Sequence, residues 1–207
     1  MMILTKDFFL SSSFCFLISF FFIKFLIHKK ILVDNINFSK HKKLDHGMNK
    51  IPLCGGIILY LSSLVFFEND LIILKIFGLL ILILGIFSDL NIISAPKTRL
   101  LFQSLIIIFF IVFSDLQIVD LKKNLINDYL AIKNISILFT VFCILILING
   151  ANFLDGLNTL VIGYFLLVVA TLLLLSNQFD LDINFNVYYF FSFLIIIYIY
   201  NFFGKLF

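Results

Sequence analysis

Three clusters of polar and charged side chains interrupt an otherwise apolar chain, and each carries a chemistry. The first is Ser88-Asp89, which ends the run LKIFGLLILILGIF. A carboxylate at a helix mouth can hold Mg2+ by oxygen ligation while leaving several waters on the ion for a phosphate-bearing substrate. It is equally a solvated charge that closes a membrane span. The second cluster gathers Asn149, Gly150, Asn152, Asp155, Gly156 and Asn158 between two long apolar runs. Amides and a carboxylate are costly in lipid unless satisfied. They could ligate a metal or bind a nucleotide, or form an interfacial loop in which Asp155 or Asn158 caps the next helix. The third cluster is KHKKLDHGMNKIPLCGGI, with Lys40, Lys42, Lys43 and His46. Its lysines could pair with a diphosphate or with anionic headgroups, although membrane topology alone also demands lysines there. Pro52 followed by Gly55-Gly56 suggests a close backbone approach or a re-entrant start to a span.

The elements that must position these clusters are membrane helices. Of the 207 residues, 62% are hydrophobic and 13% charged, against roughly 45–50% and about 25% for soluble domains. The apolar residues come in continuous runs instead of alternating ones, which excludes a barrel and leaves helices as the spanning structure. Seven runs stand out: Phe8 to Ile27, Ile51 to Phe67, Leu71 to Phe87, Leu100 to Phe113, Ile135 to Ile148, Leu160 to Leu175 and Val187 to Phe203. A span takes about 20 apolar residues, so the fourth and fifth need flanking residues to reach that length. The expected fold is an all-α, polytopic transmembrane helical bundle of about seven spans, with residues 1–207 forming one transmembrane domain.

Charge sets the expected orientation. Lys29, Lys30, Lys40, Lys42, Lys43 and Lys50 follow the first run, Lys97 and Arg99 the third, and Lys205 the last. Glu68 and Asp70, then Asp180 and Asp182, mark turns on the opposite side. The positive-inside rule places the N-terminus outside and all three polar clusters on the cytoplasmic face. The net charge of +3 is small and spread over loops, so it is no nucleic-acid footprint. Cys15, Cys54 and Cys143 have neither metal-like nor redox-like spacing and read as buried bystanders.

In this order the clusters resemble three motifs of the polyprenyl-phosphate N-acetylhexosamine-1-phosphate transferases. KKLDHGMNKIPLCGG, Lys42 to Gly56, resembles the family's basic-His segment before P-x-x-G-G. GIFSDLNIISAPKTRLLFQ, Gly85 to Gln103, resembles G-x-x-D-D-x-x-x-L-S-P-K-x-R-x-x-x-Q. NGANFLDGLNTL, Asn149 to Leu160, resembles N-A-x-N-x-x-D-G-L-D-G-L. The resemblance implies transfer of a sugar 1-phosphate from a UDP-N-acetylhexosamine to undecaprenyl phosphate in the bacterial inner membrane, with Mg2+ as cofactor and UMP as product. It assigns Asp89 and Asp155 to catalysis and to the metal, with Ser88 beside them. It assigns Lys42, Lys43, His46, Arg99, Asn149, Asn152 and Asn158 to substrate binding. A homo-oligomer is compatible with the sequence.

Ser88 stands where the family usually has its first aspartate, and Asn158 where it often has another. Two formal negative charges are thereby lost at a divalent-metal site. NFFGKLF resembles the family's segment just before its G-D-x-G motif, so the chain corresponds to the N-terminal two thirds of a usual member. The alternative to an enzyme is therefore a non-catalytic remnant, or a half that needs a C-terminal partner. A transporter would place its polar sites near the midplane in broken helices, not at helix mouths.

Overall fold

The computed structural model describes residues 2–29, 32, 52–68, 71–121, 124–154, 159–179 and 185–203. These form eight helices: α1 (Met2–Lys29), α2 (Gly55–Phe66), α3 (Ile72–Asp89), α4 (Pro96–Ser114), α5 (Asn124–Leu130), α6 (Lys133–Leu154), α7 (Leu160–Gln178) and α8 (Phe185–Phe202). Each of the seven apolar runs corresponds to one helix, although the second begins before α2 does, and α5 is additional. Four helices are long and apolar enough to cross a membrane, namely those at Phe8–Lys29, Ile72–Asp89, Pro96–Ser114 and Lys133–Asn152. Shorter apolar helices cover Gly55–Phe66, Leu160–Ser176 and Asn186–Phe202. The fourth and fifth runs reach spanning length because the helices extend through the polar residues at their ends.

Very little of this apolar surface is covered by protein. Only 6% of the span Ile72–Asp89 is buried, and Leu174 is 70% exposed. A soluble monomer rarely shows a contiguous apolar patch beyond a few hundred Å². The solvent for these faces is lipid, and the protein is an integral membrane protein. Several helical serines and threonines meet the same demand by bonding to their own backbone. Ser19 Oγ donates to the Cys15 carbonyl at 2.7 Å and Thr171 Oγ1 to the Leu167 carbonyl at 2.8 Å, so neither hydroxyl is left unsatisfied in hydrocarbon.

The chain divides into two compact units, Met1–Phe67 with Leu157–Phe207, and Glu68–Gly156. In the first, α8 packs on α1, α2 and α7. Its core includes Cys15, Ile23, Leu26, Ile58, Phe193 and Ile197, with the Phe66 ring edge-on to Phe193 at 5.9 Å. Ser11 and Ser192 share a buried hydrogen bond of 3.0 Å between α1 and α8. Gly163 of α7 faces the Tyr198 ring of α8, where a Cβ would make an ordinary contact at 3.4 Å. Cys15 and Cys54 are buried, whereas Cys143 is half-buried; all three are free thiols.

In the second unit α4 packs against both α3 and α6. Ile107 and Ile111 of α4 meet Val141 of α6, and Phe77 of α3 meets Phe110 of α4 edge-on at 5.7 Å. The mixed segment after α4 is pinned back onto α6. Ser136 Oγ donates to the Ile118 carbonyl at 2.8 Å, and the Ile118 N–H donates to Thr140 Oγ1 at 2.9 Å. Two hydroxyls on one face of α6 thus supply partners to an irregular segment that has no ladder of its own.

Candidate functional site

The end of α3 is built by one residue in a left-handed conformation. Asn91 has φ 58°, a region that costs most L-residues about 1–2 kcal/mol but that Asn visits. With Asn91 there, its N–H reaches the Ser88 carbonyl at 3.0 Å and the Ile92 N–H reaches the Phe87 carbonyl at 2.9 Å. This is a Schellman closure, and it ends the helix on Asp89. Ala95 is extended, as a residue before proline must be. Pro96 then opens α4, where its missing N–H costs nothing. The turn therefore delivers Ser88 and Asp89 on the last turn of α3, and Lys97 and Arg99 on the first turn of α4.

The Arg99 guanidinium crosses the turn, with Nη1 donating to Ser88 Oγ at 3.5 Å. Pro96, Lys97, Arg99 and Leu100 also line a cleft of about 460 Å³ with Asn149 and Asn152 of α6. Asn149 and Asn152, three residues apart, share one face of that helix. By residue type NGANFLDGLNT is expected in a loop, but α6 continues through Leu154. The helix can absorb these amides because Asn149 Nδ2 donates to the Leu145 carbonyl one turn back, at 2.8 Å. The same nitrogen also donates to Gln103 Oε1 at 3.4 Å.

The charges here oppose the helices that carry them. Asp89 sits at the carbonyl end of α3, and Lys97 with Arg99 at the amide end of α4. Each placement forfeits the roughly 0.3–1 kcal/mol that the opposite sign would gain from the helix dipole. Neither helix end carries a side-chain cap at its start. The N–H groups at the start of α4, together with Lys97 and Arg99, face an anion well. The carboxylate at the carbonyl end of α3 faces a cation well.

Of the residues singled out from sequence, Ser88 and Arg99 are in contact, and Arg99, Asn149 and Asn152 line the same cleft. Asp89 is exposed at the end of α3 and does not line it. Lys42, Lys43, His46, Asp155 and Asn158 lie outside the described residues. Among the described residues no three of His, Cys, Asp and Glu gather into a metal-sized group. The donor chemistry still fits a hard divalent cation, because an exposed carboxylate at a helix carbonyl end supplies hard oxygen ligands and leaves room for waters. Gln103 has no assigned role in the sequence reading, although it closes one of the quoted motifs. It is buried, 6% exposed, against Asn149.

The model of the family described as glycosyl transferase family 4 matches residues 71–205, a stretch that takes in both sides of the cleft. No curated protein and no solved structure matches the chain.

Proposed function

The chain belongs to glycosyl transferase family 4, and from that membership we propose that it transfers an N-acetylhexosamine 1-phosphate from a UDP-sugar to undecaprenyl phosphate. The family comprises polyprenyl-phosphate hexosamine-1-phosphate transferases, so a nucleotide-sugar donor and a polyprenyl phosphate acceptor come with it. It also uses a divalent metal, which we take to be Mg2+. The observation that carries the finer reading is the cleft, where two cations and two amides converge at a membrane-helix mouth.

In the proposed reaction an oxygen of undecaprenyl phosphate attacks the phosphorus that bears the sugar. One P–O bond forms, the P–O bond to UMP breaks, and UMP leaves with the electron pair. A phosphate oxyanion needs little base help, so in-line positioning and charge neutralisation supply most of the rate. When bound, Mg2+ would neutralise charge on the transferring diphosphate, held by Asp89 and Asp155 with Ser88 beside them. Arg99 donates to phosphate oxygens in the cleft, and Lys42, Lys43 and His46 do so from the basic loop. Asn149, Asn152 and Asn158 hold the nucleoside end. The reaction would face the cytoplasm of a bacterial inner membrane and start a lipid-linked surface glycan.

The test is release of UMP from UDP-GlcNAc by membranes bearing this chain, with undecaprenyl phosphate and Mg2+ supplied. UMP that appears only when both the lipid phosphate and the metal are present supports the reading. No UMP above membranes lacking the chain, with any UDP-N-acetylhexosamine, overturns it.

A further inference from the structure

The amide of Asn149 has two protons and one oxygen, and the structure commits both protons. The Leu145 carbonyl can only accept, so the Asn149 atom 2.8 Å from it must be Nδ2. That fixes which way the amide faces without reference to how its atoms are named. The second proton of Nδ2 lies toward Gln103 at 3.4 Å, so Gln103 must turn its own Oε1 to it. Asn149 lines the cleft, and the polar atom left over is its carbonyl Oδ1, an acceptor. An acceptor in a cleft shared with Lys97 and Arg99 has no favourable contact with a phosphate oxygen. It does have one with an N–H or O–H group.

We propose that Gln103 is a positioning residue that locks Asn149 as a hydrogen-bond acceptor, and that Asn149 reads a donor group on the nucleoside part of the substrate, an imide N–H of the base or a ribose hydroxyl. This rests on the nucleotide-sugar reading above. Gln103 touches no substrate itself. It is buried between α4 and α6, and burial makes its bond to Asn149 expensive to leave unmade. Without Gln103 Oε1 only the Leu145 bond holds the amide, which can then spend part of its time with N–H toward the cleft, so that a donor meets a donor.

The experiment uses the full chain in detergent or nanodiscs, with UMP binding by calorimetry and the kinetics of transfer as separate readouts. Gln103→Leu keeps the volume and removes the acceptor. It is expected to weaken UMP binding and raise KM for UDP-GlcNAc about tenfold, the scale of one lost hydrogen bond, while KM for undecaprenyl phosphate holds. Gln103→Glu keeps an acceptor for Asn149 and is expected to recover most of the UMP affinity. Asn149→Asp keeps oxygen toward the cleft and should leave the Mg2+ concentration for half-maximal rate where it is; a drop there would mean that Oδ1 faces the metal and would overturn the proposal. Equal losses in Gln103→Leu and Gln103→Glu, or a change confined to kcat, would overturn it as well. Wild-type chain that binds UMP without transferring sugar phosphate sinks the transferase reading alone. Wild-type chain that binds no uridine nucleotide sinks both.

Discussion

Arg99 donates from Nη1 to Ser88 Oγ at 3.5 Å, laying a guanidinium on a neutral hydroxyl where the family resemblance expects a carboxylate. A cation next to a metal ligand repels the metal, and a hydroxyl does nothing to offset it. Restoring the acid with Ser88→Asp should pair Arg99 and return one negative charge to this end of α3. The Mg2+ concentration for half-maximal UMP release should then fall about fivefold, as expected from about 1 kcal/mol of extra attraction, the scale of a close charge pair screened by bulk water. A Mg2+ titration of both proteins reads this directly. No change would mean that Ser88 lies outside the metal's reach.

Asp89→Asn keeps the size and removes the charge. The rate should drop by at least about a hundredfold, the scale on which electrostatic stabilisation acts at such sites. UMP affinity should stay within about twofold, since Asp89 does not line the cleft. Steady-state kinetics beside calorimetry separate the two.

Arg99 should show the opposite pattern. Arg99→Ala should raise KM for the UDP-sugar, and Arg99→Lys should recover only part of the loss. A lysine keeps the charge but not the fork that can reach Ser88 and a phosphate together.

Asn91 tests the turn itself. Asn91→Gly should be silent, because glycine takes φ 58° without strain. Asn91→Val should cost about 1–2 kcal/mol and lower activity by moving Asp89 and Arg99 apart. Thermal melting and transfer rates of the two variants measured together decide this; equal behaviour would show that the turn is not under conformational control.

Ser11 and Ser192 offer a test away from the cleft. A double-mutant cycle of Ser11→Ala and Ser192→Ala should give a coupling of about 0.6 kcal/mol, the usual worth of such bonds between membrane helices. UMP binding should be unaffected. A coupling near zero would mean that each hydroxyl is satisfied by its own backbone carbonyl, Phe8 and Tyr189 respectively.

Much of this was legible in the residues. Continuous apolar runs mean helices in lipid, and all seven became helices. The Ser88-Asp89 pair announced the end of α3, whereas α4 begins at Pro96, four residues before the apolar run that marked it. Other features were hidden for physical reasons. Asn149, Gly150 and Asn152 are turn formers by propensity, so the segment reads as loop; the bond from Asn149 to Leu145 that keeps it helical is a property of the folded turn. Gln103 looks like a stray polar residue in KTRLLFQSLIII, because its partner is 46 positions away on another helix. The strap from Asp115 to Leu121 is mixed in composition, and Ser136 and Thr140, which hold it, look like ordinary helical hydroxyls.

The reversed charges at the α3–α4 turn also say something about the protein without substrate. A carboxylate at a carbonyl end and cations at an amide end each sit against the unfavourable pole of a helix. An anion over the start of α4 and a cation under the end of α3 would each be favoured by the helix pole they meet, and a metal–diphosphate pair supplies both at once. Ligand binding should then tighten this turn, and the amides of residues 88–99 should be the ones whose hydrogen exchange slows most on loading.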